Sequence, residues 1–232
     1  MMKHIFGIAL GAIGAAAVAS PQAVVAQDNP ATGSRFDRVD HATLRDARRE
    51  LGYFGRCIAE RKGKDIETFL ATPTEESWSK VMDFPNNETG CINRRMSSSF
   101  VEIRGTVAEG WYVRNFRDGP PASFTASDNA LPDASAALVR ISQAPEAEQG
   151  TVVIEEFADC MAATHPVEVD HLLRTSEVSK DENEAIAALA PFFGSCAFEG
   201  HKLGFDQATL RANLAYALGR RVVQDQSAKA LK

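Results

Sequence analysis

Residues 57–72 read Cys57-Ile-Ala-Glu-Arg-Lys-Gly-Lys-Asp-Ile-Glu-Thr-Phe-Leu-Ala-Thr72, and residues 160–175 read Cys160-Met-Ala-Ala-Thr-His-Pro-Val-Glu-Val-Asp-His-Leu-Leu-Arg-Thr175. Set against each other without a gap, they pair Ala59 with Ala162, Asp65 with Glu168, Ile66 with Val169, Phe69 with Leu172, Leu70 with Leu173 and Thr72 with Thr175. The match resumes beyond the second cysteine of each stretch, where Ile103-Arg-Gly-Thr-Val-Ala108 faces Leu210-Arg-Ala-Asn-Leu-Ala215. A repeated pattern at this distance is the mark of a duplicated supersecondary unit.

Both copies read as helical. From Asp40 to about Arg61, Leu44, Ala47, Leu51, Phe54 and Ile58 recur at three or four residues, the period of a helix with one apolar face. Thr72-Pro-Thr-Glu75 combines a cap, a proline at the first helical position and an acid placed to close a capping box, which predicts a helix from Pro73 to about Met82. Ser99 and Glu102 open a helix reaching about Val113. The second copy has helices over 151–163 and 181–190, the latter capped at Ser179, and a third opened by Asp206 that reaches about Val223. No stretch alternates apolar and polar residues as a half-buried strand does, so the fold class is all-α. The expected architecture is two tandem pseudo-repeated units of about three helices each, over 40–114 and 151–223. Between them, 115–150 is rich in Pro, Ala, Ser and Asp and reads as a linker, with Leu131, Leu138, Val139 and Ile141 able to lie on a helical surface. Residues 27–39 and 224–232 read as flexible ends.

The first 26 residues have the order of an export signal: Lys3 and His4, an uncharged run from Ile5 to Ala19, then Pro21 and small residues ending at Ala26. Cleavage there leads to a periplasmic or secreted protein, with no membrane span after removal of the signal. In such a compartment the four cysteines, Cys57, Cys91, Cys160 and Cys196, are expected to pair. Pairing within each copy, Cys57 with Cys91 and Cys160 with Cys196, is the simplest of three connectivities, and each bridge closes a loop that stabilises its unit by about 4 kcal/mol in the chain-entropy model. Their spacing is not that of a zinc, thioredoxin or haem motif.

With 31 acidic against 25 basic residues, the chain carries a net charge of −6, which argues against nucleic acid as a partner, since that binding rests on neutralising phosphates. The nucleophile elbow, the phosphate-binding loop and the H-E-x-x-H zinc motif are all missing from the sequence. The residues nearest to a metal site are His165, Glu168, Asp170 and His171, to which His201 adds a third imidazole. They supply suitable nitrogen and oxygen ligands, but two histidines six residues apart around a proline do not share a helical face, so a solvated loop and helix start is the plainer reading. Arg104 and Arg211 recur on apolar helices while Asp65 and Glu168 recur as acids. They are candidates for a structural ion pair in each copy, or for an anion site. Gly52 and Gly55 inside a helix mark a close interface, and Trp78, Trp111, Tyr112 and Phe116 read as core before they read as a binding surface. Asn87-Glu-Thr89 fits a glycosylation acceptor.

From this the sequence leads to a non-enzymatic binding or interaction protein, needing no cofactor, whose partner is another exported protein or a small ligand. A metal-assisted hydrolase using the His165–His171 cluster is one alternative. An inhibitor or chaperone of another exported protein is the other, and it calls for a large exposed apolar patch.

Overall fold

The computed structural model describes residues 41–84, 90–91, 98–121 and 133–230. The expected signal over residues 1–26, the segment 27–39, Asp40, Leu131 and the expected acceptor Asn87 lie outside them. Every regular element among the described residues is helical: α1 (His41–Ala71), α2 (Glu75–Met82), α3 (Phe100–Asn115), α4 (Ala134–Gln143), α5 (Glu146–Thr164), α6 (Pro166–Arg174), α7 (Lys180–Leu189), a 3-10 turn (Ala190–Phe192), α8 (Phe193–Cys196) and α9 (Gln207–Ala230). No helix among them is long and apolar enough to cross a membrane.

Local chemistry places most boundaries. The Ser99 side chain accepts from the Glu102 amide and the Glu102 carboxylate returns to the Ser99 amide, closing the expected capping box of α3. Asp206 accepts from the Thr209 amide at the start of α9. The cap of α2 is Thr74 and not Thr72, because Ser77 closes the box from inside the helix and its hydroxyl also donates to the Thr72 carbonyl. α1 breaks its helical backbone at Lys62, where φ is −122° and ψ 24°, next to the expected end at Arg61, and then continues to Ala71. In the same way His165, with φ −132° and ψ 48°, separates α5 from α6.

Two stretches are more ordered than the composition suggests. Within 115–150, Asp133 caps α4, whose Ala137 and Ile141 lie one helical turn apart and are buried, while Leu138 and Val139 are exposed. α5 starts at Glu146, ahead of the expected 151, and α9 runs through the expected tail to Ala230.

Residues Val39–Lys232 form one compact unit, whose core is centred on α3 and α9. α3 packs between α1 and α9, and α9 also meets α5 and α6. Glycines let the central backbones meet. A Cβ on Gly55 would lie 2.2 Å from the Thr106 carbonyl oxygen, one on Gly110 2.5 Å from the Gly55 oxygen, and one on Gly105 2.3 Å from the Ala212 oxygen. The interface expected from Gly52 and Gly55 is therefore internal at Gly55, while the Glu177 carboxylate lies over Gly52. Both disulfides form in the expected pairs, Cys57–Cys91 and Cys160–Cys196, each with a Cα separation of 5.6 Å.

Candidate functional site

Arg211 is the centre of a buried polar network. Its Nε and Nη2 donate to the two Glu109 oxygens at 2.9 and 2.7 Å, and its Nη1 donates to Glu182 Oε1 at 3.1 Å. Nη2 also donates to the carbonyls of Thr175 and Leu173 at 2.8 and 3.2 Å, and Nη1 to the Thr175 hydroxyl at 3.1 Å. Glu182 also accepts from Arg48 and from the amide of Val178, which sits at a positive φ of 56°. Burial works against the Arg211 charge, and the Glu109 carboxylate outweighs it, so the guanidinium is held above its ordinary pKa. The space beside this network, between Arg48, Gly52 and Glu177, is only about 30 Å³ and admits a water at most. Its donors and acceptors are satisfied internally, which makes it structural.

The expected acid partners of the two arginines are corrected here. Asp65 faces Lys62 on its own helix at 3.5 Å, and Glu168 sits in the first turn of α6. Arg104 instead donates to Glu155 on α5 at 2.8 Å and to Asn213 on α9 at 3.5 Å. The reason is the crossing of α3 and α9. It brings Arg104 to Glu155 on α5 and Arg211 to Glu109 on α3.

The histidine cluster does not converge either. Asp170 is buried, and its carboxylate is occupied by Tyr112 Oη at 2.7 Å and by Arg174 through Nε and Nη2, each at 2.7 Å. Arg174 in turn holds the carbonyls of Phe116 and Arg117, tying the end of α3 to α6. Burial and Asp170 both push the Tyr112 hydroxyl well above its usual pKa. His165 stacks on Phe192 with ring centres 4.0 Å apart, while His171 and His201 are exposed. Among the described residues no group of three His, Cys, Asp or Glu side chains is placed to hold a metal ion.

What the structure does assemble is a cleft of about 650 Å³ between α4, α5 and α9. Its rim has two closed ion pairs, Arg140 with Glu156 (Nη2 to Oε2, 2.7 Å) and Arg104 with Glu155. Its floor is Tyr216 and Ala217, and Val152 lines one side. Two charged groups in the cleft remain open. Asp159 makes no hydrogen bond or ion pair with the described residues, and burial raises its pKa, with Arg220 and Arg221 opposing and Glu156 and Glu155 reinforcing the shift. Arg220 Nε is buried without a hydrogen-bond partner, and its guanidinium lies 5.5 Å from the centre of the Tyr216 ring.

A second, aromatic pocket of about 360 Å³ adjoins it, formed by Phe69, Pro73, Trp78, Phe100, Arg104 and Tyr216. Trp78 packs on Phe69 at 5.0 Å and edge-on to Phe100 at 5.3 Å, and the Arg104 guanidinium covers Tyr216 at 3.9 Å. Tyr216 lines both hollows. Of the aromatic residues singled out in the sequence, Trp78 belongs to this surface, whereas Trp111 and Tyr112 are buried and pack with Phe116 in the core. Asp159, Arg220 and Tyr216 were not candidates from the sequence. The available signal was a double arginine, Arg220-Arg221, on the buried part of an apolar helix.

The described large apolar side chains that are exposed, Tyr53, Phe100, Leu138, Val139 and Val167, sit on four different helices, which gives no support to the broad patch an inhibitor or chaperone calls for. Comparison with family models, with curated proteins and with solved structures gives no match to this chain.

Proposed function

We propose that this chain is an exported, non-enzymatic helical binding protein whose ligand lies in the cleft between α4, α5 and α9. The observation that carries this reading is the pair of open charges, Asp159 and Arg220, in a cavity of ligand size whose other charges are already paired. A structural network closes on itself, as Arg211 does; this cleft does not. Export to the periplasm or medium rests on the leading segment and is compatible with the two disulfides.

The scaffold reading is a tandem duplication. Three placements support it. The helix breaks at Lys62 and His165 fall opposite each other when Cys57 is paired with Cys160. Arg104 and Arg211 are each the fifth residue of their helices. Gly105 and Ala212, which are aligned, meet each other at the α3–α9 crossing, as equivalent residues do on a twofold axis. On this reading the cleft belongs to the second half, where α4 adds a wall.

The test is a thermal-shift screen of the exported, oxidised protein against small polar compounds, repeated on Val152→Trp, which narrows the cleft. A compound that raises Tm in the wild type and not in the variant is expected. Stabilising compounds that all act equally on the variant would overturn the assignment of the cleft.

A further inference from the structure

We infer that the cleft takes a free α-amino acid, its ammonium group donating to Asp159 and its carboxylate accepting from Arg220. This rests on the cleft being the ligand site proposed above.

The two groups stand on facing helices, Asp159 on α5 and Arg220 on α9, and line the same cavity without coming within ion-pair distance of each other. The other charged groups of the lining are held in ion pairs, Arg140 with Glu156 and Glu155 with Arg104; the Nε of Arg104 and that of Arg221, neither of which lines the cleft, are also buried without a partner. What remains in the lining is one anion and one cation that do not pair with each other. A ligand of a single charge would satisfy one side and repel the other. A zwitterion satisfies both, and an α-amino acid carries its two charges close together, on neighbouring substituents of one carbon. Arg220 lines the cavity and donates no hydrogen bond to the described residues, so its guanidinium is a donor for a carboxylate oxygen. Val152, Ala144 and Ala217 leave an apolar side for a side chain, and the cavity volume exceeds what the charged head alone fills.

The charged groups facing Asp159 are Glu155 and Glu156 on its own helix, Arg140 from α4, and Arg220 and Arg221 from α9. Burial raises the pKa of Asp159, and a ligand ammonium beside it favours the charged carboxylate. Binding is therefore expected to weaken as pH falls and Asp159 takes up a proton.

The experiment is calorimetric titration of the oxidised, exported protein with apolar L-amino acids, and with the amine and the carboxylic acid that carry the same side chain. The expected result is saturable binding of an amino acid, with the amine and the acid each weaker by at least about tenfold. Asp159→Asn and Arg220→Gln should each lose at least about tenfold in affinity, while Glu148→Gln, at an exposed position on α5, loses nothing. The comparison of the three ligands does not depend on any variant folding. An amine that binds as well as its amino acid would overturn the zwitterion inference and leave the cleft as the site. Silence from the whole panel would overturn it too, while the broader screen with Val152→Trp still decides the binding reading separately.

Discussion

Gly105 and Ala212 meet where α3 crosses α9: a Cβ on Gly105 would lie 2.3 Å from the Ala212 carbonyl oxygen and 2.4 Å from its Cα. Both of those atoms are backbone, so no side chain can swing aside. Gly105→Ala therefore has to push two central helices apart, and the core of the whole unit rests on them. The expected cost is about 1–3 kcal/mol, as for overpacking elsewhere, read as a lower urea midpoint. The control is Gly150→Ala on α5, where a Cβ meets nothing within 4 Å; there the gain in helix propensity should leave stability unchanged or slightly raised.

Arg211 makes the second prediction. Its guanidinium is the shared partner of Glu109 and Glu182, both buried, so Arg211→Ala strands the Glu109 carboxylate in the core and leaves Glu182 to Arg48 and the Val178 amide. Breaking a buried pair from one side typically costs about 3–5 kcal/mol. Arg104→Ala should cost less, since Glu155 is partly exposed and water can replace its partner. Urea denaturation of the two variants should rank them in that order.

These two arginines also mark how far the sequence could be read. Their recurrence, and their place five residues after Ser99 and Asp206, followed from local capping chemistry. So did the cysteine pairing, which depended on order along the chain. Their partners did not, because Glu155 and Glu109 come into reach only through the α3–α9 crossing, and no local pattern encodes that geometry. The cleft was hidden for the same reason: Asp159 and Arg220 are neighbours in space but belong to α5 and α9. α4 was obscured differently. The Pro, Ala and Ser content of 115–150 outweighed the single turn, Ala137 to Ile141, that packs inward. Asp170 stood among histidines in sequence, and folding gave its carboxylate to Tyr112 and Arg174 instead.

Reduction supplies a third test. Cys160–Cys196 joins α5 to α8 and closes a 36-residue separation, and Cys57–Cys91 closes one of 34. Each should contribute about 4 kcal/mol by restricting the unfolded chain. Cys160→Ser with Cys196→Ser should lower the stability by that order, and the same for the other pair. A melting curve in reductant should then fall below both double variants.

The last prediction concerns Asp159 without any ligand. Burial raises its folded pKa above the ordinary value of 3.8, against the pull of Arg220 and Arg221. In the window between the unfolded and the folded pKa the native state binds more protons than the unfolded state. Stability therefore falls as pH rises through that window, and the loss is complete above the folded pKa. An asparagine has no charge to desolvate. Asp159→Asn should accordingly melt higher than the wild type at pH 7, and the difference should shrink as pH is lowered through the carboxylate range. An amino acid seated in the cleft should narrow the same difference at pH 7, because its ammonium stabilises the charged carboxylate that only the wild type has. Melting curves at pH 4 and 7, with and without ligand, measure both effects. If Asp159→Asn were the less stable protein at pH 7, the two arginines would already be holding Asp159 charged, and the open anion on which the site depends would not exist.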